Sequence, residues 1–269
     1  PITPGIQPAP EASPISEAKA VDQNGLGTPD GAGPFRFVAG GDMPMRPVNW
    51  LVRDYLEQHT VAVLYGAPGI GKTFLALDLC CCVATNTPFH GLPVRHGAVF
   101  YIAGEGHHGI VRRLRAWTAH NGVSLMGAPI FVSCGAAALN HATAAARVAS
   151  AISELASTTG QTPALIVIDT LSRNFRGDEN SAADINQLIR MMDQQLRSRW
   201  EAAIVLVHHT GKGWRTRRSR LLGTQGRDRR RVRAAAEGWR PTDHLEITQD
   251  EGRSGTPIAI LRVHQRADP

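Results

Sequence analysis

TVAVLYGAPGIGKTFLALDL, residues 60–79, reads as three pieces of backbone in succession. TVAVLY, residues 60–65, is apolar without a polar alternation, the pattern of a strand buried on both faces. GAPGIGKT, residues 66–73, follows directly and matches G-x-x-x-x-G-K-[ST]. An apolar helical pattern then runs from Lys72 to about residue 84. Strand, glycine-rich turn and helix in this order make a phosphate cradle. Gly66, Gly69 and Gly71, with Ala67, Pro68 and Ile70 between them, let backbone N–H groups curl around phosphate oxygens, and the helix N-terminus adds partial positive charge. Lys72 is expected to reach the β and γ phosphates of ATP, and the Thr73 hydroxyl to bind Mg²⁺; Phe74 completes the ATP-binding set.

Outward from this motif, apolar strand patterns and helical patterns alternate. AVFYIA (98–103), PIFVS (129–133), ALIVIDT (164–170) and AAIVLVHHT (202–210) read as strands. Helices are expected over about 108–120, 142–158 and 182–200, the last capped by Asn180 or Ser181. Continuous apolar strands separated by helices of this length indicate an α/β fold, a mostly parallel sheet with helices on both faces.

Ligands of such sheets collect at the carboxyl ends of the strands, so residues there are weighed first. Asp169 ends ALIVIDT and is the candidate acid for the magnesium water shell. Glu105, in YIAGEGHH just past the previous strand, is placed to polarise the attacking water as general base. His208 and His209 end IVLVHH. They fit polar groups that sense the γ-phosphate, with His209 counted among the catalytic residues; satisfied histidines under the sheet edge or metal ligands are the alternatives, and no third ligand is evident. Arg173 and Arg176, in the polar loop after Asp169, suit contacts to DNA, to a neighbouring subunit, or to solvent alone.

Composition narrows the class. Hydrophobic residues make up 42 % of the 269, ordinary for a soluble globular chain, and no apolar run is long enough to span a bilayer. The N-terminus lacks the basic-then-apolar layout of a signal peptide, so a cytoplasmic location without membrane contact is expected. Cys80, Cys81 and Cys82 lie side by side in an apolar helical pattern, which suits a reduced core and not a disulfide or a metal site. Residues 1–34, rich in Pro, Gly, Ala and Ser, read as a disordered linker.

With these residues in place, the chain resembles the RepA-like branch of the RecA-type hexameric ATPases, the plasmid and phage replicative helicases, within the wider AAA ATPases. The likeness spans residues 35–212. It rests on WLVRDYLEQHTVAVLYGAPGIGKTFLALDL (50–79), VFYIAGEGHHGIVRRLRAW (99–117), LIVIDTLSRNFRGDENSAADI (165–185) and IVLVHHTGKG (204–213). The resemblance implies a RecA-like core, Mg-ATP hydrolysis between subunits of a hexameric ring, and translocation on single-stranded DNA. On this reading Lys72 and Thr73 are the P-loop pair, Asp169 the magnesium-associated acid, Glu105 the catalytic acid, and His208 with His209 the motif after the fourth strand. A helicase loader or recombination mediator, gated by ATP and binding DNA without unwinding it, is the second reading; a small-molecule kinase is the third.

The net charge of +6 has an uneven source. Residues 1–212 hold 16 Lys and Arg against 16 Asp and Glu, whereas residues 213–269 hold 13 Arg, no Lys and 7 acids. An evolved nucleic-acid arm mixes both bases; Arg alone is what GC-rich DNA yields when read out of frame. Permissible codons from Gly213 onward, read one nucleotide later, join to the preceding HHTGK as DGERGARGSSALKAGIDAEFE. That text supplies the Arg-Gly-Ser-Ser stretch, helix and strand that the family carries at this point. A single extra nucleotide near the Lys212 codon is therefore expected to have replaced the end of the core, leaving residues 213–269 poorly ordered, the sheet without its edge strands and the site without its trans-acting arginine; Arg220 is not that arginine. If the tail is genuine, the arginines of 227–233 are free to contact phosphates in a salt-dependent manner.

Overall fold

In the computed structural model of the chain, residues 37–43, 47–104 and 106–209 are described in full, together with the backbone of three strands beyond them. The expected linker over 1–34 lies outside the described residues. The chain divides into two units, Pro1–Pro47 and Val48–Pro269. Among the described residues of the first, a 3-10 turn, Gly40–Asp42, is closed by the Asp42 N–H on the Ala39 carbonyl at 2.9 Å.

The second unit opens with a short antiparallel pair, β1 (Trp50–Val52) and β2 (Leu56–Glu57). It then alternates as the apolar pattern dictates: β3 (Val61–Gly66), α1 (Lys72–Thr85), β4 (Ala98–Ala103), α2 (His107–Asn121), β5 (Ile130–Val132), α3 (Ala142–Thr159), β6 (Pro163–Asp169), α4 (Ala182–Met192) and β7 (Ala203–His209). The strands β5-β4-β6-β7-β3 lie in that order and all run parallel. This is the mostly parallel α/β sheet that the sequence called for.

Period-two alternation sorts the strand residues onto two faces. Val99, Tyr101, Ala103, Leu165, Val167, Val205 and Val207 share a core cluster with α1 and α2 residues. Phe100, Ile102, Ile166, Ile168, Ile204 and Leu206 share the other with Ala149 and Ile152 of α3 and Ile185 and Leu188 of α4. Each fully buried Ile, Leu or Val contributes about 1.5–3 kcal/mol relative to an exposed one, so the central strands anchor the sheet. Helix α1 is buried almost all round, including Cys80, Cys81 and Cys82, and burial beside Asp78 pushes the Cys81 thiol up to about 12. Trp117 of α2 ties the two helices together by donating its indole N–H to Asp78 Oδ1 at 2.7 Å.

Two features depart from the expected pattern. The helix expected over 182–200 widens into a π-helical turn, Asp193–Arg197, before a last turn at Ser198–Trp200. Leu196 is fully buried inside the π turn, and Arg197 braces it through Asp193 Oδ1 at 2.7 Å and the His59 carbonyl at 3.2 Å. The sheet also continues past β3, where edge strands were expected to be missing. Beyond β3, backbone pairing places β10 (Pro257–His264) parallel to β3, then β9 (His244–Glu251) and β8 (Arg229–Val232) antiparallel. Leu245 and Ile247 at alternate positions in HLEITQDE, and the unbroken apolar run of 257–261 in PIAILRVH, give strand-forming stretches whatever the origin of the tail. The rest of residues 210–269 lies outside the described residues. Among those described, no helix is long and apolar enough to cross a membrane.

Candidate nucleotide site

Every strand from β3 to β7 points its carboxyl end to the same edge of the sheet, and the candidate residues gather there. Between β3 and α1 the loop turns through Gly69 and Gly71, at φ +80° and +89°, a region open to glycine and costly for a residue with a Cβ. Ala67, Pro68 and Gly69 face solvent, while Ile70 packs on the core. Helix α1 begins at Lys72 with no side-chain cap, leaving its first N–H groups for an anion.

Lys72 folds back over the loop and donates from Nζ to the Gly66 carbonyl at 2.9 Å and the Ala67 carbonyl at 2.8 Å. Burial holds its pKa down at about 8, against the pull of Asp169. Phosphate placed beside it favours the ammonium, so nucleotide binding takes up a proton above about pH 8. Affinity is expected to be flat below pH 8 and to fall up to about tenfold per pH unit above it. Titration calorimetry in buffers of different ionisation enthalpy at pH 9 reads that proton directly; no uptake contradicts the assignment.

Thr73 and Asp169 meet across the loop, the Thr73 hydroxyl donating to Asp169 Oδ2 at 2.8 Å. A second donor to the same oxygen, the Tyr101 hydroxyl from β4, was not among the residues singled out from sequence. A hydroxyl next to a carboxylate is the hard oxygen set that Mg²⁺ accepts, since this ion keeps most of its ligands as waters and phosphate oxygens. The arrangement therefore fits Mg²⁺ with few protein ligands, although among the described residues no cluster of three or more His, Cys, Asp or Glu suits a metal. Phe74, next along α1, stays half exposed with the Arg113 guanidinium 4.6 Å from its ring centre.

Glu105 lies outside the described residues. Its neighbours are fixed on both sides: the Gly104 N–H donates to the Asp169 carbonyl at 2.6 Å, and Gly106, at φ +74°, precedes α2. Below them Ser133 accepts the Ala103 N–H at 2.9 Å, and His107 Nε2 donates to the Ser133 carbonyl at 2.9 Å. Gly104 has no room for a side chain. A Cβ there would sit 2.2 Å from Arg173 Cβ. Gly104→Ala must push the two loops apart, so a stability loss of about 1–3 kcal/mol in urea unfolding is expected, with reduced ATP turnover. Unchanged stability would mean that this contact is not kept in solution.

His208 and His209 stand opposite Tyr65 and Gly66, the entrance to the loop. His208 is buried, with Nδ1 at 3.9 Å from Glu179 Oε2, a partner that the sequence did not suggest; His209 is exposed. Segment 171–176 is clamped. Asn174 accepts the Ala137 N–H and donates to the Thr170 carbonyl, and Asn140 accepts the Arg176 N–H and donates to the Arg176 carbonyl. Arg173 and Arg176 face outward from it. Ser181, not Asn180, caps α4, accepting the Asp184 N–H at 3.3 Å.

A family model described as an AAA domain matches residues 32–214. The chain belongs to this family. No curated protein matches it. The AAA domain is a P-loop ATPase type, in keeping with the loop, its Lys and its acid at one sheet edge. The match takes in every candidate site residue from Gly66 to His209 and stops two residues past Lys212.

Proposed function

We propose that this AAA-domain chain is the motor core of a RepA-type, Mg-ATP-dependent DNA helicase or translocase of plasmid or phage replication, working as a hexameric ring on single-stranded DNA. The observation that carries the proposal is the convergence of three parts on one sheet edge: the P-loop with Lys72 and Thr73, Asp169 held beside them, and a clamped segment that turns Arg173 and Arg176 outward.

In this reading the loop N–H groups and Lys72 hold the phosphates, and Thr73 and Asp169 would hold Mg²⁺, which would supply charge neutralisation there. Glu105 takes a proton from water as its oxygen bonds to the γ-phosphorus and the bond to the bridging oxygen breaks, leaving ADP and phosphate. His208 and His209, on the strand beside the loop, sense whether the γ-phosphate is present. Arg173 and Arg176 supply contacts to DNA phosphates.

The tail belongs to the same proposal. The end of the family match near Lys212 supports an out-of-frame origin for residues 213–269. DNA sequencing across the Lys212 codon, compared with a close relative, tests this: no extra nucleotide sinks it. The motor itself is tested by ATP turnover with and without single-stranded DNA and by opening of a forked duplex. A chain that binds ATP and DNA and leaves the fork closed is a loader or mediator and not a helicase.

A further inference from the structure

We propose that Tyr101 is a positioning residue for Asp169, its hydroxyl fixing the carboxylate in the orientation in which it serves Mg²⁺. The inference rests on the reading of Asp169 as the magnesium-holding acid.

Tyr101 lies in the middle of β4, paired with Val167 and not with Asp169. Its phenol therefore runs diagonally along the sheet to reach a carboxylate two residues further on, and donates to Oδ2. Both side chains are buried, Tyr101 at 1 % exposure and Asp169 at 8 %.

Oδ2 thus accepts two hydroxyl protons, from Tyr101 and from Thr73. The two donors differ in what carries them. Thr73 sits in the first turn of α1, directly after the phosphate loop, and on this reading its oxygen would also be a ligand for the metal. Tyr101 is embedded in the central sheet, buried within β4. It supplies the fixed half of the hold on Oδ2 and so the orientation in which the carboxylate would serve the ion. Partners of this kind, one step removed from a metal, typically matter by about 10- to 100-fold in metal affinity.

The test uses the full chain and a fluorescent ATP analogue, with affinity measured in EDTA and across a Mg²⁺ titration. Tyr101→Phe keeps the ring and removes only the hydroxyl. The expected result is that the Mg²⁺ concentration for half-maximal strengthening of binding rises about tenfold, while affinity in EDTA is unchanged. In an Asp169→Asn background the same substitution is expected to add nothing. An unchanged Mg²⁺ requirement in a variant whose parent does respond to Mg²⁺ overturns the inference. So does an equal weakening with and without the metal, which marks general damage to the sheet. A parent chain whose binding ignores Mg²⁺ overturns the magnesium reading of Asp169, and the inference with it.

Discussion

A chain whose tail is returned to the shifted frame from residue 213 onward is expected to turn over ATP about 10³ to 10⁵ times faster on single-stranded DNA than the chain as it stands. The reason lies in what the described part of the chain holds. Lys72, Thr73 and Asp169 are in place within one protomer. The resemblance assigns the remaining positive charge, an arginine reaching into the neighbour's site, to the segment after Lys212. An arginine of that kind stabilises charge on the transferring phosphoryl group, and its absence leaves binding intact and chemistry slow. The two chains should therefore bind ATP alike and differ in turnover, in assembly into rings and in fork opening. Equal turnover by both would mean that residues 213–269 are a working part of the protein. Nucleic-acid binding that weakens steeply with salt through the arginines of 227–233 would then be the property to measure.

Lys72→Ala is expected to lower turnover by about 10² to 10³, the scale on which one preorganised charge or donor at a phosphoryl or oxyanion site acts. The fold should survive it. Both hydrogen bonds of Lys72 go to carbonyls of its own loop, and burial already disfavours its charge. Melting without nucleotide should thus be unchanged or raised, while the stabilisation that ATP gives, about 2.7 kcal/mol at a hundredfold excess over Kd, shrinks. A drop in melting temperature without nucleotide would show that Lys72 braces the empty loop more than it awaits phosphate.

Much of this was legible because the relevant signals are local. Residues 66–73 encode the turn in their glycines, and the apolar runs from β3 to β7 encode a two-sided sheet whose carboxyl ends mark the site. What escaped depends on residues brought together across the fold. Tyr101 in AVFYIA looks like any aromatic core residue, and its hydroxyl acquires a partner only when β4 is laid beside β6. The approach of Glu179 to His208 joins the loop after β6 to the end of β7. Gly104 reads as one more loop glycine until Arg173 is set against it. The β1–β2 pair was missed because strands of three and two residues carry too few positions for an alternation to register. The π turn was missed because its sequence, DQQLR, contains no residue that interrupts a helix.

The clamped segment bears on how force travels. Asn174 and Asn140 fasten residues 174–176 to residues 137–140, which lead into α3. A slack loop would absorb a push from the phosphates by bending, and the effort would be lost as heat. In a motor of the proposed kind, a stiff one would act as a lever, passing a displacement at Asp169 on to Arg173 and Arg176 with little compliance between them.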